Sequence, residues 1–322
     1  MVLKMNENSV NLKDRSLLIK ILGWIFSLAG IGIAFLAPLE IYCFYLFSYG
    51  GRFYYEGFGF GSFMFANIAG QVIGYYLIAL ILLTLGYGHL KIRKWVAKLS
   101  VSLLYFWLIV GIPLIITAFF ILTGTKEISI PASSIILVVS ILSYAVFPPL
   151  LIHFYKNRNV VYTFEKNDKK NCWMEKVPIS VLTISWLIIF YIIVLHILIL
   201  FNGIFPVFGT FFYGLKGIIL LDITILCLSF LVWGLLRLQL WAWWGSVFAL
   251  GILAISTIIT FVNSSYSTIL DNMKFPLKEI LFLGNIPIQG YHFAIFAGIP
   301  LIVTWILAIM SKKQFLQKGV RS

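Results

Sequence analysis

Eight stretches of this sequence each run for about 20 residues or more with almost no charge, and nothing else constrains the fold as strongly. A helix rises ~1.5 Å per residue, so ~20 apolar residues cover the ~30 Å hydrocarbon core of a bilayer. The stretches lie at 21–41, 65–88, 101–123, 133–155, 179–201, 217–236, 241–262 and 292–311. In lipid every backbone polar group must be satisfied within the protein, and runs of this length achieve that as helices. Composition agrees: 61% of the 322 residues are apolar, 11% are charged, and mean hydropathy is +1.01. A soluble surface needs about a quarter of its residues charged. The sequence therefore predicts an all-α integral membrane protein with eight transmembrane helices.

Lysine and arginine set the orientation. With the N-terminus in the cytoplasm, all but five of the 24 basic residues fall on the cytoplasmic side. They cluster in the N-terminal segment (Lys4, Lys13, Arg15, Lys20), the second connection (Lys91, Arg93, Lys94, Lys98) and the loop 156–178 (Lys156, Arg158, Lys166, Lys169, Lys170, Lys176). Arg237 and the tail (Lys312, Lys313, Lys318, Arg321) complete that side, leaving Arg52, Lys126, Lys216, Lys274 and Lys278 on the other. This positive-inside bias puts both termini in the cytoplasm. It also accounts for the net charge of +13 through attraction to an anionic inner leaflet, so lipids, and no nucleic acid, are the expected partners. The first apolar run exceeds the roughly 7–15 residues of a cleavable signal core and reads as an anchor that stays. The expected organisation is a cytoplasmic segment 1–20, a four-helix membrane unit 21–155, a basic cytoplasmic loop 156–178, a second four-helix unit 179–311 and a basic tail 312–322, in a prokaryotic plasma membrane.

The two units carry a trace of duplication. Shifted by 146 positions, GHLKIRKWVAKLS at 88–100 lies over GLLRLQLWAWWGS at 234–246, matching Gly88 to Gly234, Leu90 to Leu236, Trp95 to Trp241 and Ser100 to Ser246. Four spans per copy is an even number, so the repeats would run parallel. The alternative is coincidence between two helix ends of similar composition. The run GLLRLQLWAWW resembles a signature of functionally uncharacterised prokaryotic multi-pass membrane proteins, over about thirty residues, and the resemblance implies no activity. Trp95, Trp241, Trp243 and Trp244 read as interfacial anchors at headgroup depth, with Arg237 reaching cytoplasmic phosphates.

Ionisable groups within the spans are the candidates for function, because hydrocarbon penalises them. Asp222 in span six, His196 in span five and Gln71 in span two fall in one layer roughly 8–9 Å below the outer surface, with Glu40 at the outer end of span one. An Asp222–His196 contact between consecutive spans would form a protonatable pair in an outward-facing polar pocket for a cation, proton or small polar solute. The alternative is one structural interhelical contact, worth about 0.6 kcal/mol. His89, His153 and His292 sit at span ends and read as interfacial. No HExxH, P-loop, GxSxG or GxGxxG occurs, and the three cysteines form no CxxC, so neither a catalytic residue, a metal nor a cofactor is expected.

The outer segment 42–64 is crowded with aromatics and glycine, either as an interfacial cap or as a vestibule. Val160–Phe164 reads as a short strand in an otherwise solvated loop, and Pro276–Phe282 as a short surface helix. Asn263-Ser264-Ser265 is a glycosylation sequon, relevant only in a eukaryotic secretory route. Gly70/Gly74 and Ala294/Gly298 mark close-packing faces, and Pro113, Pro148-Pro149 and Pro300 mark kinks. Three functional classes stand. The first is a non-enzymatic membrane component (assembly factor, scaffold or complex subunit, with a membrane protein partner). The others are a small-solute or ion transporter and an intramembrane lipid-modifying enzyme.

Overall fold

The computed structural model describes residues 12–54, 56–124, 128–170 and 172–319. Lys4, Tyr55, Lys126 and Arg321, counted in the sequence reading, lie outside them. Among the described residues eight helices are long and apolar enough to cross a membrane, as expected for a multi-pass membrane protein. They are α1 (Ser16–Phe47), α2 (Phe63–Leu90), α3 (Lys94–Gly124), a fourth span built of α4 (Ile130–Ile141) and α5 (Phe147–Lys156), then α8 (Ile179–Leu200), α9 (Gly214–Leu236), α10 (Leu240–Val262) and α13 (Gly290–Met310). Most overrun the apolar stretch that announced them, because a helix continues through polar interfacial residues until a breaker stops it.

Between α4 and α5 the helix widens into a π turn, Leu142–Val146. The cause is Pro148-Pro149: neither has an N–H for the carbonyls of Tyr144 and Ala145, and the Phe147 N–H bonds back to Leu142 instead. The turn places Tyr144 against Gly111 of α3, where a Cβ would lie 2.7 Å from that of Tyr144.

Packing is by hairpins. α1 lies along α2, α8 along α9 and α10 along α13, while α3 packs on α8 and α13 and joins the halves. The α1–α2 seam uses Gly23, Gly30 and Gly86, each pressed against the facing helix. Of the expected small-residue faces, Gly298 packs tightly on Ile258, whereas Gly74 has nothing within 4 Å.

The turns at the two ends of the proposed repeat match residue by residue. Lys91 and Arg237 end their helices with φ,ψ of −90°,2° and −89°,1°. Ile92 and Leu238 follow in the left-handed region, at φ 48° and 55°. The N–H of Arg93 then donates to Gly88 O at 2.9 Å, as that of Gln239 does to Gly234 O at 3.0 Å. A Cβ at Gly88 would meet Val96 at 2.8 Å and the Trp95 indole at 3.0 Å, and one at Gly234 would meet Ala242 at 2.5 Å and the Trp241 indole at 2.7 Å.

The connections sort to two ends. At one end the Lys13 and Arg15 amides donate to Asn159 and Thr163, Lys98 Nζ donates to Glu175 O at 2.7 Å, and Ser180 donates to Gln314. Here the expected strand at Val160–Phe164 is instead part of a helix, α6 (Arg158–Asn167). The Asn157 side chain caps it, and Val160, Thr163 and Phe164 share one buried face at helical spacing. The loop is therefore docked rather than solvated, followed by the single turn α7 (Trp173–Lys176), while α14 (Lys312–Gly319) follows span eight in the corresponding place. At the other end stand a hairpin of β1 (Phe205–Val207) and β2 (Thr210–Phe212), which the sequence reading missed, and α11 (Tyr266–Met273) and α12 (Leu277–Gly284). The expected surface helix after Pro276 is α12.

Two carboxylates close helix N-termini from far along the chain. Glu279 of α12 accepts the N–H groups of Phe63 (2.6 Å) and Met64 (2.9 Å) at the start of α2. Asp168 accepts the N–H of Lys94 (3.1 Å) at the start of α3, the N–H of Lys170 and the Arg93 guanidinium at 3.3 Å. Burial works to raise the Asp168 pKa, but those donors outweigh it and hold the carboxyl below its ordinary value.

A lowered folded-state pKa means that Asp168 stabilises the fold above the usual carboxylate range and loses that contribution as pH falls below it. We expect Asp168→Asn to cost about 1–3 kcal/mol at pH 7. Thermal melts in detergent check this, because the wild-type advantage over the variant should shrink as pH falls below about 4.

Candidate functional site

The chemistry of span five shows where a site can form. In α8 the residues buried against other helices are Val181–Ser185, Leu187, Ile188 and Tyr191, and none lies beyond Tyr191. The C-terminal third of the helix places Val194, Leu195 and Leu198 against a void, with Ile197 near Gly70 of α2. This is a cavity of about 390 Å³, bounded by α3, α8, the β1–β2 hairpin, α10, α11, α12 and α13. Val194, Leu195 and Leu198 supply the α8 wall, Leu253 and Phe261 the α10 wall, and Pro300 and Leu301 the floor on α13. For scale, an engineered apolar cavity of about 150 Å³ stays dry and binds benzene.

The hairpin packs against α9 and α10 and lines the cavity through Phe205, Pro206 and Phe211. Its turn, Phe208-Gly209, has positive φ at both residues (40° and 96°), the conformation that suits the twist of a two-residue hairpin. Backbone donors at this depth need partners, and α10 provides them: Ser256 Oγ accepts the N–H of Phe208 at 3.0 Å, and Thr260 Oγ1 that of Gly209 at 2.9 Å. Ser256 also donates to Pro206 O. Rings of Phe211, Phe261, Phe293 and Tyr266 then follow one another in edge or stacked contact along one side.

A roof of Leu270, Phe275 and Leu283, packed with Phe63 and Phe201, closes the outer end. The Tyr266 hydroxyl donates to Leu283 O at 3.1 Å and ties α11 to α12, and burial pushes that phenol's pKa up, so it stays protonated. Below, the Tyr191 and Thr304 hydroxyls bond each other at 2.6 Å, and Thr304 bonds the Pro300 carbonyl. Tyr191, Thr304 and Tyr266 are thus paired within the protein, while Thr257 of α10 also lines the void. The wall is thin at Phe296, which lines the cavity yet is 39% exposed on the outer face of α13.

The layer expected from the sequence is not assembled. Asp222 is exposed on α9, because Leu221 and Ile225 take the packed face, and among the described residues no hydrogen bond or ion pair reaches it. His196 is exposed on α8, and its Nδ1–H donates to Ile192 O of its own helix at 2.7 Å. Gln71 and Glu40 are half-buried on α2 and α1. True helix ends shift the depths as well. Asp222 is eight residues into α9, about 12 Å, and His196 is four from the end of α8, about 6 Å.

Among the expected anchors, Trp244 and Trp241 are exposed, Trp95 is half-buried, and Arg237 lies 4.2 Å from the Trp233 ring centroid. Trp243 departs from the expectation. It is 3% exposed within the core and donates its indole N–H to Ala308 O at 2.6 Å, binding α10 to α13. His89 is likewise buried rather than interfacial, held between Leu85 O and the Tyr155 hydroxyl. Among the described residues no group of three or more His, Cys, Asp or Glu side chains is placed to hold a metal. The chain matches no family model, no curated protein and no solved structure.

Removing Ser256 and Thr260 together (Ser256→Ala, Thr260→Val) leaves two hairpin N–H groups without partners, each costing about 1–3 kcal/mol. We expect a lower melting temperature in detergent and rapid proteolysis within 202–213, with either single variant intermediate.

Proposed function

We propose that this chain is a non-catalytic component of a prokaryotic plasma membrane that holds the hydrocarbon chain of a membrane lipid in the outer half of its second four-helix unit. The observation that carries the reading is the apolar cavity beside α8, large enough for a folded stretch of chain and too dry to stabilise an ion. Phe296 offers the route in, since one side chain separates the cavity from surrounding lipid. The aromatic walls fit a flexible chain without demanding one shape. Orientation follows the basic residues: the end carrying α6, α7 and α14 is cytoplasmic, both termini with it, and the cavity opens toward the outer leaflet. The matched turns at 88–96 and 234–242 support an ancestral duplication of the four-helix unit. In that case the hairpin and the α11–α12 roof are additions to the second copy.

Asp222 supports a further element of the same reading. A carboxylate facing hydrocarbon costs about 2.5–3.5 kcal/mol, and a partner span carrying a basic or hydrogen-bonding group at that depth would offset it. The protein would then be a subunit.

Three measurements test these statements. Native mass spectrometry of the protein released gently from its own membrane is expected to show one lipid retained per chain. Ala297→Trp, which fills the cavity, should abolish retention, and Leu226→Trp on the lipid-facing side of α9 should not; a folded protein that carries no lipid overturns the reading. With the three native cysteines replaced, Gly59→Cys should react with an impermeant maleimide on intact cells and Lys170→Cys only after permeabilisation. Asp222→Leu should reduce the mass of the extracted complex to that of the bare chain, and an unchanged mass removes the subunit.

A further inference from the structure

The roof of the cavity has a second side. Between α11, α12 and the segment leading to α13 lies an open cleft of about 360 Å³, lined by polar and apolar groups in similar measure. Two residues, Tyr266 and Leu270, line both the cleft and the apolar cavity below it. They sit one turn apart on α11, so a single layer of side chains divides a wet chamber at headgroup level from a dry one at chain level. The Tyr266–Leu283 hydrogen bond holds that layer shut.

The polar groups lining the cleft are Ser265, Ser267, Asp271 and Gln289, beside Leu270, Ile280, Ile286 and Ile288, and Asp271 is the one side chain that only accepts. Asp271 is exposed, and among the described residues it takes part in no hydrogen bond or ion pair. Ser265 Oγ bonds the Ser267 and Thr268 hydroxyls, each at 2.8 Å, and caps α11 by accepting the Thr268 N–H, so it is fully engaged and Asp271 is the open acceptor. Gly284 brings the C-terminal, carbonyl-bearing end of α12 to the opposite side, and Gln289 completes the rim. No lysine or arginine lines it. The nearest outer cations are engaged elsewhere, Lys274 at 5.1 Å from the Tyr213 ring centroid and Lys278 with Glu56 at 3.7 Å.

We infer that this cleft is the headgroup site for the lipid whose chain occupies the cavity, and that it selects a head rich in N–H or O–H donors with no anionic group at its tip. A glycosyl head fits best, since its several hydroxyls both donate to Asp271 and exchange hydrogen bonds with Ser267 and Gln289, and an ammonium head shares the donor chemistry. A terminal phosphate would meet the Asp271 carboxylate with no cation to compensate. Rotation of Tyr266 joins the two chambers and lets an amphiphile lie across both. The inference rests on the chain-binding reading above, and its test separates the two.

The protein is reconstituted in detergent with three lipids of identical acyl chains: a glucosyl diacylglycerol, a phosphatidylethanolamine and a phosphatidic acid. Occupancy is read by native mass spectrometry for wild type, Asp271→Lys and Ala297→Trp. The wild type should prefer the glucosyl lipid to phosphatidic acid about tenfold, and preference for the phosphatidylethanolamine over both would assign the donors to an ammonium. Asp271→Lys, a change at an exposed position, should erase or reverse the preference while total occupancy stays the same. Ala297→Trp should lose all three lipids. Equal occupancy by all three in both wild type and Asp271→Lys overturns the headgroup site and leaves the chain site standing. No occupancy by any lipid in folded wild type overturns both.

Discussion

A backbone N–H or C=O left without a partner in hydrocarbon costs several kcal/mol, and this one constraint explains where irregular structure occurs in the chain. The long helices satisfy most of their own interiors, and several of the helix ends, the stretch before two consecutive prolines and the hairpin find further partners. The π turn before Pro148-Pro149 re-pairs Phe147 with Leu142. The hairpin takes Ser256 and Thr260, four residues apart on α10 and therefore on one face. The starts of α2 and α3 take Glu279 and Asp168, which arrive more than 70 residues later in the chain.

Those carboxylates show how a chain with only 11 acidic residues spends them. A helix N-terminus carries about half a positive charge that water cannot screen well near a bilayer, so a fixed carboxylate there is worth more than on a soluble surface. Each also joins distant segments. Glu279 fastens the α11–α12 roof to the first unit, and Asp168 fastens the docked loop to α3. The roof is thereby held in place by the same bond that ends a helix.

Span number and approximate position were legible because they depend on length and composition, quantities summed over 20 residues. Elements that depend on pairing with distant segments were not. Val160-Val161-Tyr162-Thr163-Phe164 has strand-forming residues, yet Val160, Thr163 and Phe164 also fall on one helical face, and the presence of a core to receive that face decided the matter. The hairpin turn is Phe-Gly, without the Asn-Gly or Asp-Gly that would announce it, and its stability lies in α10. Trp243 sits in a run of interfacial tryptophans, and only rotation about α10 separates it from the exposed Trp241 and Trp244. Asp222 and His196 were placed by depth alone, which says nothing about azimuth: one step along α9, from Leu221 to Asp222, turns a side chain by about 100° and carries it from core to lipid.

The cavity was invisible for a related reason. Val194, Leu195, Leu198, Leu253 and Leu301 are the residues a packed membrane core would use, and apolar composition does not distinguish a filled interior from an empty one. The difference arises from what stands between the helices. A short hairpin fixed to α10 and a two-helix roof fixed to α2 both line the cavity. Protein interiors normally collapse onto voids of this size, since unfilled space forfeits dispersion contacts on every wall. An apolar void beneath the α11–α12 cleft is why we propose a ligand with the same division into polar and apolar parts.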